Sequence, residues 1–365
     1  MGYVTPAADS LGIGTARGVH PYVHADSEAS ASVDMLYAMR AYAETDPTIT
    51  LNDQVFVTGY SQGGHVAMAT HRLLETELSN DFTVTATAPM SGPYSISQEM
   101  RKFTTGDEPY LFSAYLVSVV LSYQAAYGNI YTDLEEIFQP QFIDDIVSFE
   151  NEEINLFTLN LQILFKLNFL GGPIPNLMLQ DSIREIVVND GEHPLMDALR
   201  DNDVFDWTPT APTRLFYCTA DDQVTFRNAI LADSVMNENG AADLDALDVD
   251  SNQDHGGCVD PATTATIAFF AQFQDVMVGT NEVFTQDLFE VYPNPVNDVL
   301  SIQIGVEHSN DFTVNLYDVY GKLVLSEIAS GNSLEIEVNG LPVGMYVLAI
   351  NDGTVRGVEK INIQR

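Results

Sequence analysis

A serine between glycines is the first group in this sequence that could do covalent chemistry. Residues 59–64 read GYSQGG and join an apolar run, QVFV, to a stretch whose apolar residues have helical spacing. Such a strand-to-helix turn is typical of a serine nucleophile, because the glycines permit a tight backbone that lifts the hydroxyl of Ser61 above a sheet. The backbone N–H of Gln62 would then face a developing oxyanion. Glycines beside a serine also occur in ordinary loops, so this motif alone is weak evidence.

An acid and a base follow Ser61 along the chain. TRLFYC (213–218) reads as a strand that runs into TADDQVT, which places Asp221 and Asp222 at the carboxyl end of that strand. NQDHGGC places His255 in a glycine-rich loop. Serine, aspartate and histidine in this order can form a triad in which histidine takes the serine proton and aspartate orients the imidazole. We predict Asp221 as the acid and Asp222 as the alternative, although an aspartate in a structural turn would look the same.

The segments that must position these groups alternate between strand and helix patterns up to residue 277. Strands are predicted at 2–8, 54–59, 82–90, 213–220 and 243–250, and helices at 26–44, 63–79, 224–238 and 261–277. This alternation predicts an α/β fold with a mostly parallel sheet. Residues 97–207 have helical spacing and many aromatic side chains, so we expect a helical cap that shapes a pocket above the sheet.

The pattern changes after residue 277. A polar linker at 278–288 is followed by short runs of alternating hydrophobicity, punctuated by NPVND, SGN and NDG. Alternation with a period of two residues predicts strands, and regular turn signals between strands predict an all-β sandwich. We therefore expect a small, separate β-sandwich domain at 289–365.

The motifs GYSQGG, CTADDQVT and DHGGC, with HPYVHADSEA upstream of them, resemble the secretory lipase and esterase branch of the α/β-hydrolases. The resemblance covers residues 2–277 and implies hydrolysis of carboxylic esters through an acyl-enzyme, without a metal or a cofactor. It implies Ser61, Asp221 and His255 as the triad and the N–H of Gln62 as an oxyanion donor. The apolar cap would suit acyl chains, with helix packing as the alternative role of its residues, which are Tyr110, Phe112, Tyr115, Leu116, Phe157, Phe165 and Phe169.

One feature departs from the pattern of that family. The sheet of an α/β-hydrolase has two or three strands before the strand expected at 2–8, and one of them carries the loop with the second oxyanion donor. No segment of this sequence offers such a strand, and MGYVTPAADS lacks the basic and apolar regions of a signal peptide. We therefore expect the chain to be N-terminally truncated, with a rate about 10²–10³ lower if one oxyanion donor is missing.

The two cysteines flank the proposed acid and base. Cys218 lies three residues before Asp221, and Cys258 lies three residues after His255. If the triad assembles, the two loops meet, and a disulfide could join them provided that the Cα atoms lie within about 7 Å. Two separate buried thiols are the alternative.

The C-terminal segment carries a second resemblance. YPNPVND (292–298), YGK (320–322), GMYV (344–347) and a basic last residue resemble the type A sorting domain of the type IX secretion system of Bacteroidetes. The resemblance implies a transport signal that outer-membrane machinery reads, and hence a secreted or cell-surface protein. A sugar-binding β-sandwich is the alternative.

Composition limits the partners and leaves other functions open. The 365 residues include 52 acidic and 14 basic side chains, for a net charge of −38, which argues against binding to nucleic acids or anionic membranes. No apolar run is long enough for a membrane span, and residues 110–127 read as a buried helix. A prolyl or dipeptidyl peptidase of the same fold is the alternative enzyme, and a catalytically impaired fragment or surface binding protein is the alternative outside that class.

Overall fold

The structure is a computed structural model, and it describes residues 2–15, 18–46, 48–275, 289–304, 311–319, 321–329, 331, 333–351 and 356–365. The chain divides into two compact units, Met1–Val276 and Met277–Arg365. The predicted linker at 278–288 and Tyr320 of the YGK motif lie outside the described residues.

The first unit contains four strands and ten helices within the described ranges. The strands are β1 (Val55–Tyr60), β2 (Val84–Met90), β3 (Thr213–Tyr217) and β4 (Leu244–Asp248). The helices are α1 (Ala25–Thr45), α2 (Gln62–Thr76), α3 (Arg101–Thr105), α4 (Ala114–Tyr127), α5 (Pro140–Glu150), α6 (Leu156–Asn168), α7 (Asp181–Asn189), α8 (Pro194–Asp201), α9 (Arg227–Glu238) and α10 (Val259–Phe270). Short 3₁₀ helices span Leu134–Glu136 and Pro175–Met178, and a π-helical turn spans Ile96–Met100.

The four strands form one parallel sheet in the order β1-β2-β3-β4. Helices cover both of its faces, as two neighbouring residues of β3 show. Leu215 packs with residues of α1, α2 and α9, whereas Phe216 packs with residues of α10, because successive side chains of a strand point to opposite faces. A sheet covered on both faces explains why β2 is buried along nearly its whole length, whereas β4, at the edge of the sheet, reads LDALD and is mostly exposed.

The predicted strand at 2–8 is wrong. Residues 2–10 belong to neither a helix nor a strand, and within the described residues β1 pairs only with β2. Pro6 lies in the middle of this run, and a proline cannot donate a hydrogen bond to a ladder. Tyr3 instead packs edge-on against Phe56 of β1, with ring centroids 5.4 Å apart.

The chain between β2 and β3 is helical, from the π-helical turn to α8. These helices bury a core of their own, to which α4 through α8 all contribute. Its fully buried members include Val117, Phe142, Ile146, Leu159, Ile163 and Leu167. None of the helices in the described ranges has both the length and the hydrophobicity of a bilayer span.

The second unit is built from antiparallel strands. They are β5 (Phe289–Tyr292), β6 (Val299–Ile304), β7 (Phe312–Asp318), β8 (Leu323–Ala329), β9 (Ser333–Glu337), β10 (Gly344–Asn351) and β11 (Arg356–Ile363). Two sheets, ordered β11-β10-β7-β8 and β5-β6-β9, contribute to one core. Alternate residues point inward, including Leu300 and Ile302, Val314 and Leu316, and Ile361 and Ile363.

Candidate active site

Ser61 occupies a strained turn between β1 and α2. Its backbone torsions are φ 60° and ψ −121°, a combination that residues with a side chain rarely adopt. The N–H of Ser61 donates to the carbonyl oxygen of Met90 at the end of β2, at 2.9 Å. Strain of this kind costs about 1–3 kcal/mol and persists only where the surroundings enforce it. The serine is therefore held at the carboxyl end of the sheet by its own backbone.

Two glycines around the serine are required by close backbone approaches. A Cβ atom on Gly59 would lie 2.1 Å from the carbonyl oxygen of Gly63, and one on Gly64 would lie 2.6 Å from that of Met90. A Cβ atom on Gly63 would have no neighbour within 4 Å. The turn therefore depends on Gly59 and Gly64, while Gly63 sits in open space.

The predicted acid and base form a buried pair. Nδ1 of His255 lies 2.7 Å from Oδ2 of Asp221, and each residue is only 7% exposed. Oδ1 of Asp221 accepts the backbone N–H groups of Gln223 and Val224, at 3.0 and 2.8 Å. Because the carboxylate can only accept, Nδ1 carries the imidazole proton and Nε2 is left with its lone pair. That lone pair is what a general base presents to a serine hydroxyl.

Asp222, the alternative acid, has a different position. Its Oδ1 accepts the backbone N–H of His255 at 3.2 Å, so it contacts the main chain of the loop rather than the imidazole. Both aspartates therefore contact His255. Asp221 bonds the imidazole ring, and Asp222 bonds the backbone N–H.

Tyr60 completes the contacts around the histidine loop, and none of the sequence motifs points to it. Its hydroxyl donates to the carbonyl oxygen of His255 at 2.5 Å, and the two rings lie 5.0 Å apart. Burial raises the pKa of Tyr60 to about 12, so the hydroxyl stays protonated near neutral pH and remains a donor. The residue beside Ser61 therefore holds the loop that carries the base.

The two cysteines form a disulfide, with Cα atoms 5.9 Å apart. Both are fully buried. The bond joins the end of β3 to the start of α10. It links the residue three positions before Asp221 to the residue three positions after His255. Of the two alternatives, the disulfide is confirmed and the pair of free thiols is wrong.

Gln62 is the first residue of α2. The first N–H groups of a helix have no partner within the helix, and the helix dipole adds positive potential there. The backbone N–H of Gln62 therefore lies where an anion next to Ser61 would be stabilised. In the described part of the chain, no group of three or more His, Cys, Asp and Glu side chains is arranged to hold a metal ion.

Five of the seven predicted cap residues fall into two groups, and the other two, Phe112 and Leu116, are half-buried. Tyr110 and Tyr115 reach the turn after Asp221, where their hydroxyls bond the carbonyl and side-chain oxygens of Gln223 at 3.0 and 3.1 Å. Three phenylalanines point outward instead, with exposed fractions of 72%, 67% and 73% for Phe157, Phe165 and Phe169.

Comparison with known proteins separates the two units. Residues 290–364 match the family described as a secretion system C-terminal sorting domain. An endo-acting ulvan lyase from Formosa agariphila is 30% identical over 80 residues, which are 22% of this chain and 15% of that enzyme. The C-terminal unit is a secretion sorting domain. The predicted type IX sorting domain is confirmed, and it makes this chain a secreted or cell-surface protein.

Solved structures resemble the first unit. A protein from Legionella pneumophila described as a hydrolase is 25% identical, with a TM-score of 0.66 over 76% of this chain and 71% of its own. A variant of the rice cell wall degrading esterase LipA from Xanthomonas oryzae is also 25% identical, with a TM-score of 0.62 over 73% and 70%. Candida antarctica lipase A, at 16% identity and a TM-score of 0.52 over 71% and 58%, shares the fold. The α/β-hydrolase fold is confirmed, and these neighbours indicate a hydrolase.

Proposed function

We propose that this protein is a secreted serine hydrolase that cleaves carboxylic esters. The observation that carries the proposal is the buried 2.7 Å contact between His255 and Asp221, at the end of the sheet where Ser61 occupies a strained elbow. In this proposal residues 1–277 are the hydrolase domain, with 97–207 as its cap. Residues 289–365 are the segment that the type IX secretion machinery reads.

The reaction would have two halves, formation of an acyl-enzyme and its hydrolysis, and Ser61, His255 and Asp221 would act in both. Nε2 of His255 takes the proton of Ser61 as Oγ attacks the ester carbonyl, and Asp221 stabilises the imidazolium that forms. The backbone N–H of Gln62 donates to the oxyanion. The imidazolium then protonates the leaving alcohol, and an acyl-enzyme remains on Oγ. Water, deprotonated by the same imidazole, attacks this acyl group and releases the acid, and the proton returns to Ser61.

The cap favours apolar esters over peptides as substrates. Residues 154–180 contain no aspartate or glutamate, in a chain with 52 such residues. Phe157, Leu161 and Phe165 of α6 and Phe169, which caps its C-terminus, recur at four-residue spacing, and all are more than half exposed. A peptidase that captures a peptide amine would need carboxylates near its site. An apolar surface without carboxylates, whose one charged side chain within 154–180 is Lys166, instead suits acyl chains, because contact with it removes apolar area from water.

A substrate panel tests the proposal. We expect turnover of p-nitrophenyl esters, fastest for medium or long acyl chains, and much slower cleavage of aminoacyl p-nitroanilides. Ser61→Ala should abolish ester cleavage while leaving the thermal unfolding midpoint unchanged. Faster cleavage of the anilides than of the esters would favour the peptidase. If the unmodified protein and Ser61→Ala bind the ester equally well and neither cleaves it, a binding protein would be favoured.

A further inference from the structure

We propose that Gln62 is a positioning residue of this hydrolase. Glu28 and His20 hold its side-chain amide, and this fixes the position of its own backbone N–H, the group that donates to the oxyanion. The inference rests on the proposed function, because it concerns the same elbow. It assigns a role to the side chain of Gln62, and to Glu28 and His20, which the sequence motifs left unexplained.

The side chain of Gln62 is tied to elements outside its own helix. Nε2 of Gln62 lies 2.7 Å from Oε1 of Glu28 in α1 and 2.7 Å from Nε2 of His20 in the preceding loop. An amide nitrogen has two hydrogens, and each of these contacts takes one. The residue that directly follows the strained serine is therefore fixed by two hydrogen bonds, in two directions.

His20 is held in the tautomer that this arrangement needs. Its Nδ1 lies 2.8 Å from the carbonyl oxygen of Leu11. A carbonyl oxygen can only accept, so Nδ1 carries the proton and Nε2 of the neutral ring is an acceptor. The second hydrogen of the Gln62 amide therefore has a lone pair to bond.

Glu28 is a buried carboxylate whose two oxygens are both occupied. It is only 2% exposed. Oε1 accepts from Gln62 and also from the backbone N–H of Val23, at 3.1 Å. Oε2 lies 2.6 Å from Nδ1 of His65, whose Nε2 donates to the carbonyl oxygen of Asn202 at 2.9 Å. A buried carboxylate is stable only when such partners replace water.

The same carboxylate holds a second strained residue. Val23 has a φ of 50°, which is unusual for a β-branched side chain. Glu28 thus bonds both to the loop that leads from His20 and to the elbow residue Gln62. Loss of the amide of Gln62 would release the elbow from this carboxylate without removing any group that touches substrate.

The effect should fall on the chemical step. The N–H of Gln62 stabilises charge that exists only in the transition state, so its misplacement lowers kcat and leaves KM unchanged. We expect Gln62→Met, which keeps the volume but has no donor, to lower kcat about tenfold to hundredfold. The rate at which a fluorophosphonate labels Ser61 should fall by a similar factor, and this second measurement needs no ester substrate.

A matched control separates position from general packing. Gln54 also donates from its amide to another part of the chain, the carbonyl oxygen of Phe273, at 2.7 Å, but it directly precedes β1, at the end of the strand away from Ser61. Gln54→Met should change neither kcat nor the labelling rate. Glu28→Gln should keep most of the activity, because its amide oxygen can still accept from Gln62 and Val23.

The variant Gln62→Glu adds a titratable group to this network, so the pH dependence of its activity tests the proposed role in a way that loss of packing would not affect. Gln62→Glu would place a carboxylate against Glu28, with His20 and His65 as the other titratable groups that contact this network. A proton taken up between the two carboxylates, or onto His20, would restore a hydrogen bond. The activity of Gln62→Glu relative to the unmodified protein should therefore rise as the pH falls.

The outcomes divide cleanly. A Gln62→Met variant with an unchanged kcat and labelling rate would overturn the inference, as would a loss confined to the thermal unfolding midpoint. If the unmodified protein is labelled at Ser61 but cleaves no ester, the proposed substrate class fails and the labelling rates still decide the role of Gln62. If Ser61 is not labelled at all, both proposals are wrong.

Discussion

The two halves of the candidate site are held by opposite means. The elbow depends on the absence of side chains, because Gly59 and Gly64 let backbone groups approach more closely than any Cβ atom would allow. The acid–base half depends on the presence of side chains, through the contacts of Asp221, Asp222 and Tyr60 with His255. A Cβ atom added at either glycine would force backbone groups apart, whereas a side chain of the acid–base half can be replaced by one of similar shape without a clash. The two halves should therefore respond differently to mutation.

Asp221→Asn should give the largest effect on activity. An amide facing Nδ1 of His255 no longer fixes the proton there, so Nε2 is not available as a base. We expect kcat to fall about 10⁴-fold with little change in KM. Asp222→Asn is the control, and because its amide oxygen can still accept the backbone N–H of His255, it should cost about tenfold or less. Equal losses in steady-state kinetics would show that the two aspartates have not been assigned correctly.

Removal of the disulfide should give the next largest effect, this time on stability. The cysteines are separated by 40 residues, and loss of such a link lowers the free energy of unfolding by about 2–4 kcal/mol. We expect this for the Cys218→Ser, Cys258→Ser double variant in urea unfolding, together with a lower kcat. A double variant that is as stable and active as the parent would mean that the bonds to His255 hold the loop unaided.

Gly64→Ala tests the elbow directly. Its new Cβ atom would meet the carbonyl oxygen of Met90 at 2.6 Å, and we expect a loss of stability of about 1–3 kcal/mol together with a loss of turnover. Gly63→Ala is the matched control, because its Cβ atom enters open space within a helix and should gain about 0.5–1 kcal/mol. Thermal unfolding of the two variants side by side checks the difference, and a reversed order would contradict the close approach.

Tyr60→Phe should give the smallest effect. It removes one hydrogen bond, to the carbonyl oxygen of His255, worth about 1 kcal/mol. We expect kcat to fall about fivefold and the fold to be retained. Tyr37→Phe is the control, since it removes a hydroxyl that bonds Asp81 at 2.7 Å on an exposed surface. An equal kcat for the two variants would remove Tyr60 from the site.

The sequence predicted the fold well where chemistry and periodicity agree. The strand patterns before Ser61 and before Asp221 are distinct, because each contains a short run of large apolar residues, VFV and LFY. β1 and β3 begin within one residue of the predicted starts. The strand predicted at 2–8 does not form, and within the described residues the sheet ends at β1, which pairs only with β2.

The support around the site could not be predicted in the same way. Tyr60 occupies a position of the GxSxG motif that any residue can take, so its bond to His255 has no sequence signature. Glu28 and His20 reach Gln62 only because α1 packs against α2, which is a contact between distant parts of the chain. Periodicity shows which face of a helix is buried, but it does not show which polar groups meet across that face.

The disulfide also connects the site to the place where the protein is made. Thiols remain reduced in the cytosol and become oxidised after export. A newly made chain in the cytosol would carry Cys218 and Cys258 as thiols, and the loops bearing Asp221 and His255 would lack their covalent link. The bond would form once the chain has entered an oxidising compartment outside the cytosol, so this part of the site would be completed only after synthesis and folding have begun elsewhere.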